Sequence, residues 1–243
     1  MSLTDHQVLV IGGSSGMGLA TARAAAEAGA AVTITSTAPD RLAAALAALP
    51  EGCTGRVVDL RDDDAVAQLF DRIGDQTGGL HHLVVTAGDA VAPAPLTITP
   101  VGTLRGLLDV RFWGAVTAIQ HAVPHLVEGG SITLTSGTIA ERPAPGAAVT
   151  AAGAAAIEGL ARGLAVELAP VRVNVVRPGA VRTPMWGAVP EQQRTAMFDA
   201  LAARTLTGTV GTAEQIAAAH LYLMQNDFVT GTVLTLDGGA LLR

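Results

Sequence analysis

The sequence contains no lysine and only one tyrosine. All fifteen basic residues are arginine, and the tyrosine is Tyr222. Any reaction that depends on a lysine side chain is therefore excluded before the fold is considered. A reaction that needs a phenol as acid or base has a single residue from which to draw it.

Cysteine and positive charge are also scarce. Cys53 stands alone, so the chain cannot form an internal disulfide, and a reducing compartment is expected. The net charge is −6 and basic residues form no run, which argues against nucleic acid or an anionic membrane as partner. The first residues lack the basic start of a signal peptide, and no apolar stretch is both long and unbroken enough to span a bilayer. These features predict a cytoplasmic protein.

Apolar runs of strand length alternate with alanine-rich helical segments along all 243 residues. The candidate strands, rich in valine, isoleucine and leucine, are 8–11, 31–35, 56–59, 82–86, 131–135, 171–176 and 233–236. The candidate helices are 17–28, 40–49, 62–77, 103–127, 146–168 and 212–225. This alternation predicts an α/β fold, a doubly wound Rossmann-type parallel sheet of seven strands with helices on both faces. No linker or repeat divides the chain, so residues 1–243 are expected to form a single domain.

One segment breaks the alternation. Residues 183–211 lie between the sixth candidate strand and the last helix, and they carry Met185, Trp186, Met197 and Phe198. We expect this segment to form a mobile lid over the carboxyl ends of the strands.

The first strand ends in a cluster of glycines. Residues 8–18 read VLVIGGSSGMG, with Gly12, Gly16 and Gly18 spaced G-x-x-x-G-x-G before the first helix. Gly12 permits a sharp turn, Gly16 a close approach of the backbone to a pyrophosphate, and Gly18 tight contact between helix and strand. The N–H groups at the start of the helix then face the anion. Because the cluster opens a series of strand–helix–strand units, a dinucleotide site is favoured over a plain tight turn.

This motif and four later ones resemble the short-chain dehydrogenase/reductase family over the whole chain. VIGGSSGMG is similar to the family's T-G-x-x-x-G-x-G, VVDL to its adenine-holding segment, and TAG at residues 86–88 to its N-A-G. VNVVRPGAVRTPM resembles the strand and turn that hold the nicotinamide, and FVTGTVLTLDGG resembles the closing strand. The resemblance implies hydride transfer between a nicotinamide cofactor and a carbonyl or alcohol, in a homodimer or homotetramer.

The resemblance also implies which residues contact the cofactor. They are Gly12, Ser14, Ser15, Gly16, Met17, Gly18, Ser36, Thr37, Asp59, Leu60, Ala87, Gly88, Pro178, Gly179, Val181 and Thr183. An acid at the end of the second strand would bond the ribose hydroxyls and repel a 2′-phosphate, but this chain has Thr35, Ser36 and Thr37 there. These short hydroxyls, with Arg41 within reach, favour NADP over NAD; the alternative is that they are ordinary loop hydroxyls.

The family's proton-handling side chains are all replaced. In the family a tyrosine exchanges the proton, a lysine one helical turn away lowers the pKa of that tyrosine, a serine polarises the oxygen, and an asparagine holds a proton relay. Residues 154–170 resemble the stretch that begins at the lysine. This register puts Ala154 at the lysine position and Thr150 at the tyrosine position. Gly137 then falls at the serine position and Arg111 at the asparagine position.

Only weak substitutes remain as catalytic candidates. Ser136 would orient a carbonyl if the loop shifts by one residue, and Thr150 is too weak an acid to replace a tuned phenol. Arg111, a permanent cation, either stabilises a developing alkoxide or belongs to an ordinary ion pair. Asp89 and Glu141 are candidate acids or bases, with solvated loop charges as the alternative.

No metal centre is expected. The adjacent His81 and His82 would point to opposite faces of a strand. Tyr222 lies in the last helix, where a core or interface aromatic is typical.

Three functions stay open at this point. An NADP-dependent oxidoreductase without the usual acid is slightly favoured, because the nicotinamide contacts at residues 178–183 are intact. A catalytically silent nucleotide- or ligand-binding relative, acting as regulator or partner subunit, fits the loss of the proton-handling positions. Non-redox lyase or cyclase chemistry on the same scaffold is the third. The small-molecule ligand is expected in an apolar pocket between the lid and the loops that bear Asp89 and Glu141.

Overall fold

The structure is a computed structural model that describes residues 2–77, 79–88 and 93–243. The strands are β1 (Gln7–Ile11), β2 (Ala31–Ser36), β3 (Thr54–Val57), β4 (Leu80–Val85), β5 (Leu126–Thr135), β6 (Arg172–Pro178), β7 (Val181–Arg182), β8 (Gly211–Thr212) and β9 (Val233–Leu236). The helices are α1 (Gly16–Glu27), α2 (Pro39–Ala47), α3 (Asp63–Thr77), α4 (Val101–Gly106), α5 (Ala115–Ala122), α6 (Ala148–Glu167), α7 (Glu191–Ala202) and α8 (Ala213–Gln225).

A seven-stranded sheet organises the chain, with strand order β3-β2-β1-β4-β5-β6-β9 and parallel pairing throughout. The order reverses between β1 and β4, since the chain first builds outward from β1 through β2 and then returns to the other side. In sheets of this kind the crevice at such a reversal, beyond the carboxyl ends of the strands, is where ligands bind. The predicted Rossmann-type sheet is confirmed.

Helices cover both faces because the strands are apolar on both sides. On β1, Val8 and Val10 pack with α1, α2 and Met224 of α8. The alternate residues Leu9 and Ile11 pack on the opposite face, with α3, α5 and α6. Neighbouring residues of a strand point to opposite faces, so a continuous apolar run is what a sheet covered on both sides requires.

The prediction of one continuous helix over residues 103–127 is wrong, because the helical segment is interrupted and α5 ends at Ala122, before β5 begins at Leu126. The chain forms α4, then a π-helical turn at Asp109–Gly114, and only then α5. In this wide turn the carbonyl of Leu108 accepts hydrogen bonds from the N–H groups of both Phe112 and Trp113, at 3.1 and 3.0 Å. Such turns insert an extra residue into a helix and change the direction in which its side chains point.

Helix α6 is long and apolar enough to span a membrane by length and composition. Its inner face belongs to the core, where Ile157 and Ala161 pack beside the sheet residues Ile132 and Val175. A core helix passes the same test of length and composition, so this helix is explained by its packing.

Candidate functional site

A cleft of about 780 Å³ opens at the carboxyl ends of β1, β2 and β4. Most of the residues predicted to contact the cofactor line it: Gly12, Ser14, Ser15, Gly16, Met17, Gly18, Ser36, Thr37, Asp59, Leu60, Ala87, Gly88 and Thr183. The structure thus brings together residues from five separate parts of the sequence at the point where the strand order reverses.

The glycine loop has the close contacts that its sequence predicts. Gly12 has a positive φ of 83°, and a Cβ there would lie 2.7 Å from the amide nitrogen of Ala87. A Cβ at Gly18 would lie 2.5 Å from the Thr86 hydroxyl, so a side chain at this position would push α1 away from β4. Helix α1 begins at Gly16, its N-cap Ser15 makes no side-chain cap, and its first turn carries no acid. The amide groups at the start of α1 are therefore available for an anion in the cleft.

At the adenosine end, only some of the hydroxyls after β2 are available to a ligand. Thr35 is buried, and its hydroxyl accepts a hydrogen bond from the Gly12 amide at 3.3 Å, which braces the glycine turn. The Ser36 hydroxyl accepts from the Ala38 amide at 3.2 Å. Arg41 reaches back, as expected, and donates from Nη2 to the Thr37 hydroxyl at 3.1 Å.

An arginine that the sequence analysis did not single out also lines this end of the cleft. Arg61 donates from Nε and Nη2 to the Asp59 carboxylate, with the shortest contact at 2.6 Å. The side-chain hydrogen bond from Arg61 is the main reason that the pKa of Asp59 lies below its usual value. The signal was present in the sequence as an acid and an arginine two residues apart just after β3.

A second cavity of about 280 Å³ adjoins the first. The two cavities share the lining residues Met17, Thr86, Gly88, Thr183 and Met185. The remaining predicted cofactor contacts, Pro178, Gly179 and Val181, line this second cavity. The cleft therefore continues from the glycine loop into a second compartment beside the residues that were aligned with the family's nicotinamide contacts.

All four replaced proton-handling positions border the second cavity. Thr150 and Ala154 lie one turn apart on α6, and Gly137 and Arg111 line the same space. Ala154 is buried, with 2% of its surface exposed, so the helix presents a hydroxyl and a methyl group at these two positions.

Arg111 reaches the cavity from the π-helical turn between α4 and α5. Its guanidinium lies over Gly88, where a Cβ would be 2.5 Å from Nη2. Gly114 at the end of the turn packs against Leu60, where a Cβ would be 2.7 Å from the Leu60 side chain. The wide turn and two glycines thus allow Arg111 to point into the site. Asp89, the other candidate on this side, lies outside the described residues.

The Ser136 hydroxyl does not point its proton at a substrate carbonyl, as the sequence analysis considered. Its hydroxyl donates to Oε1 of Glu158 on α6 at 2.9 Å, and both residues are buried. The hydroxyl proton is therefore committed to a carboxylate and is not directed at a substrate carbonyl. The interpretation of Ser136 as a carbonyl-orienting group is not supported by this geometry.

Glu158 is held in turn by Arg177 of β6. Arg177 donates from Nε to Oε1 at 2.8 Å and from Nη2 to Oε2 at 2.6 Å. Burial alone would raise the pKa of Glu158, but the hydrogen bonds from Arg177 and Ser136 outweigh it, and the pKa lies below its usual value. This carboxylate is consequently ionised at neutral pH and has no proton to give.

Glu141 also forms an ion pair with Arg177. The Nη1 group of Arg177 donates to the Glu141 carboxylate, so Glu141 is neither an isolated acid nor merely solvated. The next residue, Arg142, donates to the carbonyls of Ala240 and Leu241 at 2.8 and 3.0 Å. These contacts fix the loop after β5, which forms one wall of the second cavity, to β6 and to the end of the chain.

The segment predicted to form a lid, residues 183–211, also contributes lining residues to the second cavity. It contains a helical turn at Pro184–Trp186 and helix α7, which the sequence analysis did not predict. Trp186 donates from its indole to the Val181 carbonyl at 3.0 Å, and the Arg182 guanidinium lies 4.4 Å from the Phe198 ring centre. Met185 and Trp186 line the second cavity, so the segment contributes apolar surface to it.

Tyr222 and His82, which the sequence analysis also considered, line neither cavity. Tyr222 is 47% exposed on α8, and its hydroxyl accepts a hydrogen bond from the Asn226 amide at 3.1 Å. His82 contacts His6 at 2.9 Å and Ser131 at 2.8 Å, near the amino ends of the strands. Among the described residues no group of three or more potential ligands is arranged to hold a metal ion.

Comparisons with known proteins agree with this fold. A family model described as enoyl-(acyl carrier protein) reductase matches residues 12–240. The chain is 36% identical to the short-chain dehydrogenase/reductase malC of Malbranchea aurantiaca, over 99% of this chain and 96% of that protein. It is 33% identical to the cis-4-hydroxycyclohexanecarboxylate dehydrogenase of Sinomonas cyclohexanicum, over 98% of this chain and 97% of that protein.

Solved structures show the same similarity. The MalC reductase/Diels-Alderase from M. aurantiaca superposes with a TM-score of 0.93 at 33% identity, covering 99% of this chain and 98% of that one. A small-chain dehydrogenase in complex with NADPH superposes with a TM-score of 0.83 at 35% identity, covering 98% of this chain and 99% of that one. The chain belongs to the short-chain dehydrogenase/reductase family.

Proposed function

We propose that this protein is an NADP(H)-dependent oxidoreductase that transfers hydride between the nicotinamide and a small carbonyl, alcohol or activated substrate without a catalytic tyrosine or lysine. The observation that carries the proposal is the continuous cleft, which runs from the glycine loop to the cavity bordered by Thr150 and Ala154. Residues 1–243 act as one dinucleotide-binding unit in this proposal, and residues 183–211 act as its lid.

The residues of the cleft fit a dinucleotide. Its pyrophosphate would lie against the glycine loop, where the first turn of α1 carries no acidic side chain. The ribose and nicotinamide would lie along the shared lining residues toward Pro178 and Thr183. The similarity to a dehydrogenase in complex with NADPH supports the same cofactor here.

NADP is favoured over NAD by the charges at the adenosine end. No acid stands at residues 35–37, and the Thr37 hydroxyl is already paired with the Arg41 guanidinium. Guanidinium groups form strong, charge-assisted hydrogen bonds with phosphate oxygens. A 2′-phosphate in this region would meet Arg41 together with the hydroxyls of Ser36 and Thr37.

The chemistry at the second cavity is limited by what its side chains can do. The cofactor supplies a hydride acceptor or donor, and proton transfer is left to water or to the substrate itself. Arg111 stabilises negative charge that develops on a substrate oxygen, as a fixed cation at the cavity wall. Thr150 orients the substrate through a hydrogen bond. For a carbonyl, the carbon gains the hydride, and the oxygen gains its proton from water.

The cavity favours a compact, largely apolar substrate. Its volume of about 280 Å³ is near the lower end for small-molecule sites. Apolar side chains dominate on the lid side and the β6 side, namely Met17, Ile139, Pro178, Val181, Met185 and Trp186. The polar groups on the opposite wall, Arg111 and Thr150, would fix the orientation of a substrate oxygen.

Self-association into a homodimer or homotetramer is part of the proposal. Ile98, Val101 and Trp113, which lie between β4 and α5, expose 79%, 64% and 59% of their surfaces. Large exposed apolar side chains that form a patch are typical of protein interfaces. Sedimentation of the purified protein tests this prediction directly.

A ring-forming, non-redox reaction is the second candidate. MalC, which the chain resembles over almost its full length, carries the description reductase/Diels-Alderase. A cavity with apolar walls, and with no acid among the described residues that line it, suits a reaction in which the protein mainly folds and orients its substrate. Such a reaction would proceed without any change in the redox state of NADPH.

Binding and turnover separate these proposals. Calorimetric titration of the protein with NADPH and with NADH should show tighter binding of NADPH. Loss of absorbance of bound NADPH with a panel of activated carbonyls should then show turnover. Failure of both dinucleotides to bind overturns the proposed oxidoreductase. Binding without turnover against the full panel identifies a silent binder, and product formation without NADPH oxidation identifies the ring-forming activity.

A further inference from the structure

Residues 237–243, which follow β9, form a compact turn that contacts two of the stretches lining the second cavity. The Asp237 carboxylate accepts hydrogen bonds from the amides of Gly239 at 2.9 Å and Leu241 at 2.8 Å. Gly238 and Gly239 have positive φ angles of 62° and 77°, which glycine adopts without strain. No residue of this fully described stretch lines either cavity. We call residues 237–243 the connecting segment.

The first contact of the connecting segment is with the loop after β5. Arg142 of that loop donates from Nη1 to the Ala240 carbonyl at 2.8 Å and from Nη2 to the Leu241 carbonyl at 3.0 Å. Two residues of the same loop, Thr138 and Ile139, line the second cavity. A planar guanidinium that donates to two carbonyls at once has a fixed orientation. Arg142 therefore holds a cavity-lining loop against the connecting segment.

The second contact of the connecting segment is with the lid. The Gly238 carbonyl accepts hydrogen bonds from the amides of Leu206 at 2.7 Å and Thr207 at 3.2 Å. Arg243 donates from Nη1 to the carbonyl of Ala203, the residue that ends α7, at 2.6 Å. The same seven residues thus bind both the lid and the loop after β5.

Helix α7 of the lid has little apolar packing of its own. Of its twelve residues only Phe198 is buried. Elements with few buried apolar contacts open locally at a small cost in free energy, so polar contacts at their ends matter for their position. The lid supplies Met185 and Trp186 to the second cavity. Its position consequently affects the space that is open to a substrate.

We infer that the connecting segment couples the position of the lid to that of the loop after β5, and that Arg142 is a positioning residue for the substrate. Arg142 lines neither cavity, so it acts on the substrate only by holding these two walls. The inference rests on the proposed function, since it assigns a substrate to the second cavity. The coupling itself requires no ligand, and a coupling between two contacts acts in both directions.

Amide hydrogen exchange of the ligand-free protein tests the coupling. Arg142→Ala removes two hydrogen bonds to the connecting segment and should raise the exchange rates of the Leu206 and Thr207 amides about fivefold or more. In the other direction, Arg243→Ala removes a contact with the lid and should raise the exchange rate of the Glu141 amide in the loop. Both arginines are exposed, so the variants should stay folded.

Steady-state kinetics tests the positioning role. Arg142→Ala should raise KM for an activated carbonyl about fivefold and lower kcat by less than about twofold, because the substrate is held less well. The dissociation constant of NADPH should stay within about twofold, since the glycine loop lies in the first cavity. Arg142→Lys keeps a cationic donor and should recover part of the loss. Arg23→Ala is the matched control: Arg23 is also exposed and donates to a backbone carbonyl, that of Ala48, and its loss should change none of these quantities.

The possible results lead to different conclusions. Unchanged exchange of the Leu206 and Thr207 amides in Arg142→Ala, or a uniform rise over the whole chain, would overturn the coupling. Faster exchange of these amides with an unchanged KM would overturn the positioning role. If the parent neither binds nor oxidises NADPH, the proposed function fails and the positioning role with it, whereas the exchange rates still decide whether the coupling exists.

Discussion

The Arg177 guanidinium and the Glu158 carboxylate form a buried, two-pronged ion pair, with contacts of 2.8 and 2.6 Å between β6 and α6. Arg177 also holds Glu141, and Glu158 also accepts the Ser136 hydroxyl proton. One guanidinium thus joins three walls of the second cavity: the loop after β5, helix α6, and the strand that leads to Pro178. We infer that this pair fixes the shape of the cavity.

Glu158→Ala should destabilise the protein strongly. The substitution leaves the buried Arg177 guanidinium without its main partner, and removing one member of a buried pair costs about 3–5 kcal/mol. Urea denaturation of the variant measures the loss in free energy of unfolding. Glu167→Ala, at the exposed end of the same helix, is the matched control and should change that free energy by less than about 0.5 kcal/mol. Equal effects of the two substitutions would contradict a structural role for the pair.

Stability should fall in mild acid because two buried histidines resist protonation. Burial is the largest cause that lowers the pKa of His82 to about 3 and that of His220 to about 4. Since the Thr21 hydroxyl donates to the Met17 carbonyl, Nδ1 of His220 must donate to Thr21. Nε2 of His220 then has no hydrogen-bond partner within the described part of the chain, so a proton there would be buried without an acceptor.

The sign of this pH dependence follows from which state binds the proton. In the unfolded chain a histidine has a pKa of about 6.5. Below that pH the two histidines bind protons in the unfolded chain but not in the folded chain. Stability is therefore full above about pH 6.5 and falls as the pH drops toward 4, by up to about 1.4 kcal/mol per pH unit for each histidine. Thermal unfolding between pH 4.5 and 7.5 measures the slope. His220→Gln should flatten it, and an unchanged slope in that variant would count against this explanation.

Introducing a tyrosine phenol and a lysine ammonium into the second cavity should give it a general acid catalyst. Thr150 and Ala154 already line the cavity one turn apart, so Thr150→Tyr/Ala154→Lys places both new groups there. A positioned general acid contributes about 10²–10⁴-fold, and reduction of unactivated ketones should rise by about 10²-fold. The rate should also fall as the pH rises through the pKa of the new phenol. Thr150→Phe/Ala154→Lys lacks the phenol hydroxyl and should show neither change; an equal gain in that control would rule out acid catalysis by the tyrosine.

Arg111→Met should impair turnover while sparing cofactor binding. Methionine keeps much of the side chain's length but removes the cation, and loss of one group that stabilises an oxyanion costs about 10²–10³-fold in kcat. Steady-state kinetics and NADPH titration of the same preparation give both quantities. Arg111→Lys keeps a positive charge and should retain intermediate activity. A parallel loss of NADPH affinity and turnover would instead assign Arg111 to the cofactor site.

The sequence was sufficient to predict the parts of the site that depend on local geometry. The glycine loop follows from spacing and the sheet from apolar runs, whereas the positions of Thr150 and Ala154 follow from the resemblance of residues 154–170 to the family. Strand β9 begins and ends where the apolar run predicted, at Val233–Leu236. The glycine spacing and the apolar runs are local patterns, which the sequence displays directly.

Other parts of the site depend on contacts between distant residues. Arg177 lies 19 residues from Glu158 and 36 from Glu141, so no local pattern predicts that they meet. The π-helical turn at Arg111 was also missed, because its sequence fits an ordinary helix and the extra residue is accommodated by packing of Gly114 on Leu60. The Asp59–Arg61 pair is the exception. It is local, because the two residues are two positions apart just after β3.

In the proposed function, hydride transfer at this site uses no phenol. The most direct measurement is the initial rate of NADPH oxidation by the parent protein and by Tyr222→Phe, with the same activated carbonyl. Tyr222 lies on the surface of α8, bonded to Asn226, so the two rates should agree within about twofold. A loss of about 10²-fold or more in the variant, the size expected for removing a general acid, would contradict the claim.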